Sequence, residues 1–460
     1  MNTQGRLILV SHRGPYKLRP TPEGIKRERT IGGLATALLP LIERIGGVWI
    51  TSGEPAGRYR MPTRKPIFEL IYLSLTPEQK QKFYYGLSNN ALWPLCHSFL
   101  GRVHYDMSEW QVYEQVNAEF AKAAVREAKE QDTYWVQDYQ MARAPFFIRE
   151  KNPAAQILFF WHIPFPPVEI FRTLPWRRLV LEGLLSSNLI GFHTSEYSKN
   201  FIEAAVDLLG ARAEGDFIYY AGMRTKVQTR PIGIDFEAID SIARSSQTEA
   251  RIQKLTGALR DDTLIIGVER MDYTKGIVER LRGVEYLLEQ QPEWRGKFSL
   301  IQIVTPSRDG VESYRQKKRE IDEMVGRVNG RFSDGIWIPV RYQYRSFPPA
   351  ELIAYYRAAD IALVTPLRDG LNLVAKEYVA ARIHEDGVVV LSEFAGVANQ
   401  LPEAIITNPY SQEDLAGAID RALRMPKTDQ IKRMKAMRER VKTQDIRWWV
   451  DGFINYFDHD

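Results

Sequence analysis

Thr365-Pro-Leu-Arg-Asp-Gly-Leu-Asn-Leu-Val-Ala-Lys-Glu377 is the stretch whose reading decides the fold. Before it runs Ile361-Ala-Leu-Val364, a short apolar run that reads as a buried parallel strand. After it, Val374 to Ala381 reads as a helix. Between the two stand Asp369, Gly370 and Asn372, residue types that tolerate unusual backbone angles and cap helices. A strand, a tight polar turn and a helix start make a site for anions, because the first N–H groups of a helix point out of its end. Glu377 follows about one and a half turns into the helix, at ~3.6 residues per turn. Its carboxylate can reach a pair of hydroxyls beside a bound anion. Phosphate on amides and a diol on a carboxylate suggest a nucleotide or nucleotide sugar. On spacing alone, an ordinary capped strand-to-helix turn reads the same way.

The rest of the chain has room for such a function. Its 460 residues are too many for one core, so two or more domains are expected. Hydrophobic content of 44% and charged content of 26% are ordinary for a soluble globular protein. The net charge of +5 is spread along the chain with no basic arm, which argues against nucleic acid and suits a small anionic substrate. The single cysteine, Cys96, excludes an intrachain disulfide and fits a reducing compartment. No apolar run approaches the ~20 residues of a membrane helix. Met1 to Arg6 lead straight into a strand, so no signal peptide is expected and the cytoplasm is the default location.

Working outward from the centre, apolar runs alternate with helical patterns in two series, which argues doubly wound α/β sheets. In the first series, Arg6–Ser11 is a strand that must turn at His12-Arg13-Gly14-Pro15. Residues 17–30 read as a mobile loop, and Ile31-Gly32-Gly33-Leu34 opens a helix where a ligand can approach the backbone, or where the chain hinges. Gly47–Thr51 is the next strand. From Thr76 to Asp106 the text is aromatic and irregular; Tyr84 and Trp93 can flank a sugar, though most such aromatics pack in cores. Residues 110–130 are helical. Tyr134–Asp138 ends in a carboxylate, and Gln156–His162 ends in His162-Ile-Pro-Phe-Pro166; ligands bind at such C-terminal strand ends in open α/β sheets. Leu189–His193 is a further strand, and 226–235 reads as the crossover between domains. In the second series, Leu264–Val268 is followed by Arg270 and Lys275, five apart, which can clamp a diphosphate. Phe298–Thr305 leads to Pro306-Ser307-Arg308, Ile336–Pro339 precedes a loop with Phe347, and Gly387–Ser392 follows the central stretch. The tail from Trp448 to Phe457 reads as an aromatic helix that packs back on the first domain.

With these pieces placed, the chain resembles the trehalose-6-phosphate synthase family and the closely related glucosylglycerol-phosphate synthases, over roughly Leu7 to Trp449. The motifs that carry the resemblance are Val268-Glu-Arg-Met-Asp-Tyr-Thr-Lys-Gly276, the 365–379 stretch, His162–Pro166 and Val390-Leu-Ser-Glu-Phe-Ala-Gly396. The resemblance implies the glycosyltransferase-B architecture, two Rossmann-like domains facing a cleft. The expected division is residues 1–232 on the acceptor side, joined by a C-terminal helix over 445–460, and 233–444 binding the nucleotide sugar. It implies a retaining transfer of glucose from a nucleotide-glucose, UDP-glucose favoured, to glucose 6-phosphate. Carried over by position, Arg270 and Lys275 hold the donor diphosphate. Asp369, Gly370, Leu371, Asn372, Leu373 and Val374 line the donor, Glu377 binds the ribose, and Phe347 sits near the base. Gly33 meets the diphosphate from the other domain, and His162 contacts the transferred glucose. Ile163 and Trp93 shape anomer selection. Arg13, Tyr84 and Arg308 hold the acceptor phosphate, and Trp93 and Asp138 the acceptor sugar.

The acceptor side departs from the trehalose-phosphate pattern. Ser11-His12-Arg13 stands for Ser-Asn-Arg, Gln137-Asp-Tyr-Gln140 for His-Asp-Tyr-His, and a Trp is missing near Ser52. His97-Ser98-Phe99, Leu371 and Ser392-Glu393-Phe394 are closer to the glucosylglycerol-phosphate branch, so ADP-glucose with glycerol 3-phosphate is the alternative. A catalytically inactive sugar-nucleotide regulator and a pyridoxal-phosphate phosphorylase are remoter ones. No carboxylate pair of the glycosidase kind is evident. The resemblance implies instead that the acceptor attacks on the face the diphosphate leaves. Arg270, Lys275 and helix N-termini would stabilise the departing charge without a metal or other cofactor. The one Asp-x-Asp match, Asp458-His459-Asp460, is a terminal tail. Partners are small molecules, not membrane or nucleic acid, and a homo-oligomer stays open.

Overall fold

The apolar runs form two parallel sheets, each belonging to its own unit. A computed structural model describes residues 5–21, 24–29, 33–61, 68–257, 263–306 and 312–458. One unit comprises Met1–Ile232 with Trp449–Asp460, the other Gly233–Trp448.

In the first unit β1 (Leu7–Arg13) is followed by β2 (Tyr16–Thr21) and β3 (Gly24–Arg29), then β4 (Gly47–Ser52), β5 (Gly57–Arg60) and β6 (Phe68–Leu73). Next come β7 (Thr133–Gln137), β8 (Gln156–Phe160), β9 (Leu189–Phe192), β10 (Arg212–Glu214), β11 (Phe217–Tyr220) and β12 (Met223–Thr229). Ten strands pair in the order β10-β11-β12-β9-β8-β7-β1-β4-β6-β5. The span from β12 to β6 is parallel, with antiparallel additions at both edges. Runs of Leu, Ile, Val and Phe in β1 and β8, and Tyr134-Trp-Val136 in β7, are buried, as a strand covered on both faces requires. From β1 the chain steps outward to β4 and β6, then resumes on the other side of β1 with β7. The β1/β7 gap is therefore a switch point, where open α/β sheets bind ligands.

The second unit holds β13 (Thr263–Arg270), β14 (Phe298–Thr305), β15 (Val340–Tyr344), β16 (Ile361–Val364), β17 (Val388–Ser392) and β18 (Ile405–Thr407). All are parallel, in the order β15-β14-β13-β16-β17-β18. Here the switch point lies between β13 and β16, so Arg270 and Thr365 leave adjacent strands at the ligand-binding edge.

Several local expectations give way. The stretch expected to be a mobile loop forms the β2/β3 hairpin, paired from Tyr16↔Arg29 to Thr21↔Gly24. The irregular aromatic text is mostly helical: Pro77–Gln79, a wide π-type stretch Lys80–Leu92 that is kinked at Gly86, then Trp93–Cys96. Its Ser88 Oγ and Asn89 Nδ2 donate to carbonyls five residues back, at 2.7 and 2.5 Å, which props open the wide turns. Residues 226–229, read as crossover, belong to β12. The terminal helix is Ile446–Ile454. The chain rejoins the first unit at Trp449 rather than at 445. Ile446 N–H donates to Ile234 O at 2.9 Å and Arg447 pairs with Glu237, which keeps the helix start with the second unit. Beyond it Trp449 and Phe453 pack on Trp135 and edge-on to Phe160, with centroids 5.0–5.6 Å apart. Among the described residues no helix is long and apolar enough to cross a membrane.

Candidate active site

In the second unit the central stretch is held from two sides. Leu367 N–H donates to Thr274 O (2.8 Å), Asp369 N–H to Phe394 O (3.1 Å), and Val397 N–H to Leu371 O (2.9 Å). The approach to the Tyr273–Lys275 turn is close because Gly276 has a left-handed φ of +64°, and a Cβ there would stand 2.5 Å from Thr365 O. This brings Lys275 Nζ to 2.5 Å from Asp369 Oδ2, an ion pair whose side chains are only 10% and 14% exposed. Asn372 Nδ2 donates to the same oxygen at 3.1 Å. The Asn372 side chain is thus turned to Asp369 and does not cap the helix Leu373–Ala381, contrary to the capping role its type suggests. The helix start keeps its outward N–H groups without a side-chain cap, the arrangement that favours an anion. Gly370 and Leu371 are buried, Leu373 and Val374 half-buried.

Glu377 is half-buried, and Tyr356 Oη donates to its Oε2 at 3.2 Å. Desolvation pushes its carboxyl up to about 7. Desolvation also brings the neighbouring Lys376 ammonium down to about 7. Phe347 lies in the loop after β15, edge-on to Tyr355 at 5.1 Å with the Arg345 guanidinium 4.2 Å from its ring centroid. Arg270 closes β13 in register with Thr305.

Beneath this surface lies a network the sequence reading missed. Arg280 is fully buried; it donates to Glu269 (2.7 Å), Gln302 (2.9 Å) and Thr365 Oγ1 (3.0 Å). It ties the residue before Arg270 to Thr365, the first residue of the central stretch. Gly267 makes room, since a Cβ there would meet the guanidinium at 2.5 Å. The signal was available: an arginine on the apolar face of the helix Ile277–Gln290, beside Ile277, Leu281 and Val284.

In the first unit Arg13, exposed at the end of β1, donates through Nη2 to Tyr84 Oη and lies 5.1 Å from that ring's centroid. His12 beside it is buried against Phe83 and Tyr84 (5.2 and 4.7 Å). Ser52 Oγ donates to His12 O at 2.7 Å and stands 3.1 Å from His12 Nδ1. Burial first, then Arg13 and Lys80, bring the His12 imidazole down to about 3. Asp138 follows β7 with φ +72° and ψ 163°, a strained backbone for a non-glycine residue. The strain is held by Asp138 N–H donating to Phe160 O (2.7 Å) and by Oδ1 accepting from His162 N–H (3.2 Å) and Tyr139 N–H (2.9 Å). His162 Nε2 lies 2.8 Å from Gln137 Oε1. Burial, with His193 in second place, keeps the His162 imidazole well below its ordinary range. Ile163 is buried beside it. Trp93 is 6% exposed, its ring packed on His97 at 4.1 Å and Tyr139 at 6.0 Å, so little of its face is open to stack on a sugar. Gly33 heads the helix Gly33–Ile45 in this unit. Arg308 lies outside the described residues. Within their own units, Lys275, Asp369 and Asn372 are joined by contacts, as are Arg13 with Tyr84 and Asp138 with His162. Among the described residues no cluster of three His, Cys, Asp or Glu has the geometry of a metal site.

A sequence profile for glycosyltransferase family 20 matches residues 5–459. The chain belongs to glycosyltransferase family 20. Its relatives include the bifunctional trehalose-6-phosphate synthase/phosphatase of Thermoproteus tenax, 41% identical over 98% of this chain. This chain spans only 63% of that protein's length. The trehalose-6-phosphate synthase of Mycolicibacterium smegmatis is 39% identical over 97% of this chain and 91% of its own. Among solved structures, the Burkholderia xenovorans alpha,alpha-trehalose-phosphate synthase (UDP-forming), in complex with glucose-6-phosphate, superposes with a TM-score of 0.90. It is 32% identical and covers 98% of this chain and 99% of its own. The family 20 assignment agrees with the glycosyltransferase-B fold class of two parallel α/β sheets.

Proposed function

We propose that this chain is a retaining glucosyltransferase that moves glucose from UDP-glucose to glucose 6-phosphate, giving α,α-trehalose 6-phosphate. The observation that carries the donor half is the Lys275–Asp369–Asn372 constellation at the switch point of the second sheet, beside a helix start without a side-chain cap. Lys275, Arg270 and that helix start supply positive charge where the diphosphate departs. Asp369, anchored by two donors, offers a fixed carboxylate to sugar hydroxyls. Glu377 takes the ribose diol. The acceptor half rests on Arg13 with Tyr84 for the phosphate and Asp138 for hydroxyls, and it is supported by the relatives' names. The acceptor hydroxyl attacks C1 as the C1–oxygen bond to the diphosphate breaks. Its proton passes to the departing phosphate oxygen, so no protein carboxylate serves as nucleophile.

The proposal includes a cytoplasmic location, with Cys96 as the chain's single cysteine, and small-molecule substrates with no metal cofactor. The second reading, glycerol 3-phosphate as acceptor, is favoured by His12 filling space against Tyr84 and engaging Ser52 where the trehalose pattern has other residues. Incubating the purified chain with UDP-glucose and glucose 6-phosphate, and analysing the product by NMR, tests the proposal. An α,α-1,1 linkage is expected; no disaccharide phosphate, with donor and acceptor recovered, rejects it.

A further inference from the structure

We propose that Gln137 is a positioning residue that fixes the tautomer of His162, so that the imidazole presents Nδ1 to the sugar as a hydrogen-bond acceptor. The proposal rests on the reading of His162 as a group that touches the transferred glucose.

Gln137 ends β7, fully buried, and its Oε1 lies 2.8 Å from His162 Nε2. No carboxylate stands at that nitrogen, so the partner is a neutral amide oxygen. A neutral imidazole has one N–H, and the hydrogen bond at one nitrogen decides the role of the other. With Nε2–H donating to Gln137, Nδ1 is left with a lone pair. Among the described residues nothing bonds Nδ1, and the half-buried ring turns its Nε2 edge inward to the buried amide. The ring cannot swing away: Phe160 (4.5 Å), His193 (5.4 Å) and Trp449 (6.0 Å) surround it. The titratable groups facing it are His193 from the end of β9 and Asp138 after β7; the terminal helix contributes Trp449. Burial favours the neutral ring the arrangement needs.

The other half of the amide carries the second observation. Gln137 Nε2 is buried with no hydrogen-bond partner among the described residues. A buried donor left unmade is costly, and such a group calls for a reason. An apolar side chain would pack there without that cost, but it would leave His162 free to take either tautomer.

The test is long-range ¹H–¹⁵N NMR on protein labelled with [¹⁵N]histidine, with the signal assigned by its loss in His162→Asn. The wild type is expected to show His162 as the neutral Nε2–H tautomer from mildly acidic to mildly alkaline pH. Gln137→Leu should show mixed tautomers and a kcat lower by about fivefold, the worth of one hydrogen bond. Gln137→Glu, nearly isosteric, should raise the His162 pKa by about 1–3 units. An Nδ1–H tautomer in the wild type, or an unchanged spectrum in both variants, overturns the proposal. If His162→Asn keeps full turnover, the sugar-contact reading falls by itself, and the tautomer is judged by the spectrum alone.

Discussion

Lys275→Met removes one charge from the donor side while keeping the apolar stem. The Lys275 side chain is 10% exposed and pairs with Asp369 at 2.5 Å. An ammonium has three N–H donors, and Asp369 takes one, which leaves two for phosphate oxygens. A unit charge about 4 Å from the departing diphosphate is worth about 4 kcal/mol at an effective dielectric of about 20. Loss of one preorganised donor at a developing oxyanion costs about 2.7–4 kcal/mol in other enzymes, a factor of about 10²–10³. The two routes agree, so kcat should fall by about 10²–10³-fold. Because the charge develops as the bond breaks, donor KM should change far less than kcat. The variant also leaves Asp369 with Asn372 as its remaining partner, so part of the effect belongs to a displaced carboxylate. Asp369→Asn, alone and combined with Lys275→Met, separates the two: a shared role gives a double variant much less impaired than the product of the singles. The assay is steady-state release of UDP, with circular dichroism to check folding. A folded Lys275→Met enzyme within about tenfold of wild-type kcat would refute the reasoning.

Exhaustive EDTA treatment should leave activity intact under the proposed role of Arg270 and Lys275 at the diphosphate; loss restored by magnesium or manganese rejects that proposal. Under the proposed ribose contact of Glu377, whose carboxyl burial pushes up to about 7, donor kcat/KM should rise with pH up to about 7 and then level. In Glu377→Gln that rise should disappear; its persistence would point to another group. Glu377 should also lower stability as pH rises from its ordinary value of 4.5 to about 7, because there the folded state holds more protons than the unfolded one. Arg280→Met should destabilise the protein by about 3–5 kcal/mol, because it leaves the buried Glu269 carboxylate unpaired. Denaturant unfolding reads that loss, and an unchanged midpoint would mean the network relaxes without cost.

Runs such as Leu7–Val10, Ile361–Val364 and Val388–Leu391 were legible because strands buried on both faces are written as unbroken apolar text. Arg270, Lys275, Asp369 and Glu377 were legible because they follow such runs at the sheet's ligand-binding edge. The β2/β3 hairpin was not, since its charged residues leave Leu18 as too little buried apolar text to set a period. The helix Lys80–Leu92 escaped because π-type turns break the ordinary helical spacing, and its glycine and asparagines read as loop. Within the two units, the Arg280 network, the Lys275–Asp369 pair and the Gln137–His162 bond join residues 11 to 94 positions apart. Such links follow from the sheet order, and no local pattern spells them.

The acceptor that receives the glucose defines the reaction. Both candidates carry a phosphate dianion, so the proposed phosphate role of Arg13 suits either. The groups that meet the sugar decide, and a site built to bond hydroxyls rejects an acceptor that leaves them unpaired, in some enzymes by about 10⁴-fold. The measurement is kcat/KM for glucose 6-phosphate and for glycerol 3-phosphate, with UDP-glucose saturating and products identified. A large advantage is expected for glucose 6-phosphate, with α,α-trehalose 6-phosphate as product; a clear advantage for glycerol 3-phosphate would overturn the proposed acceptor.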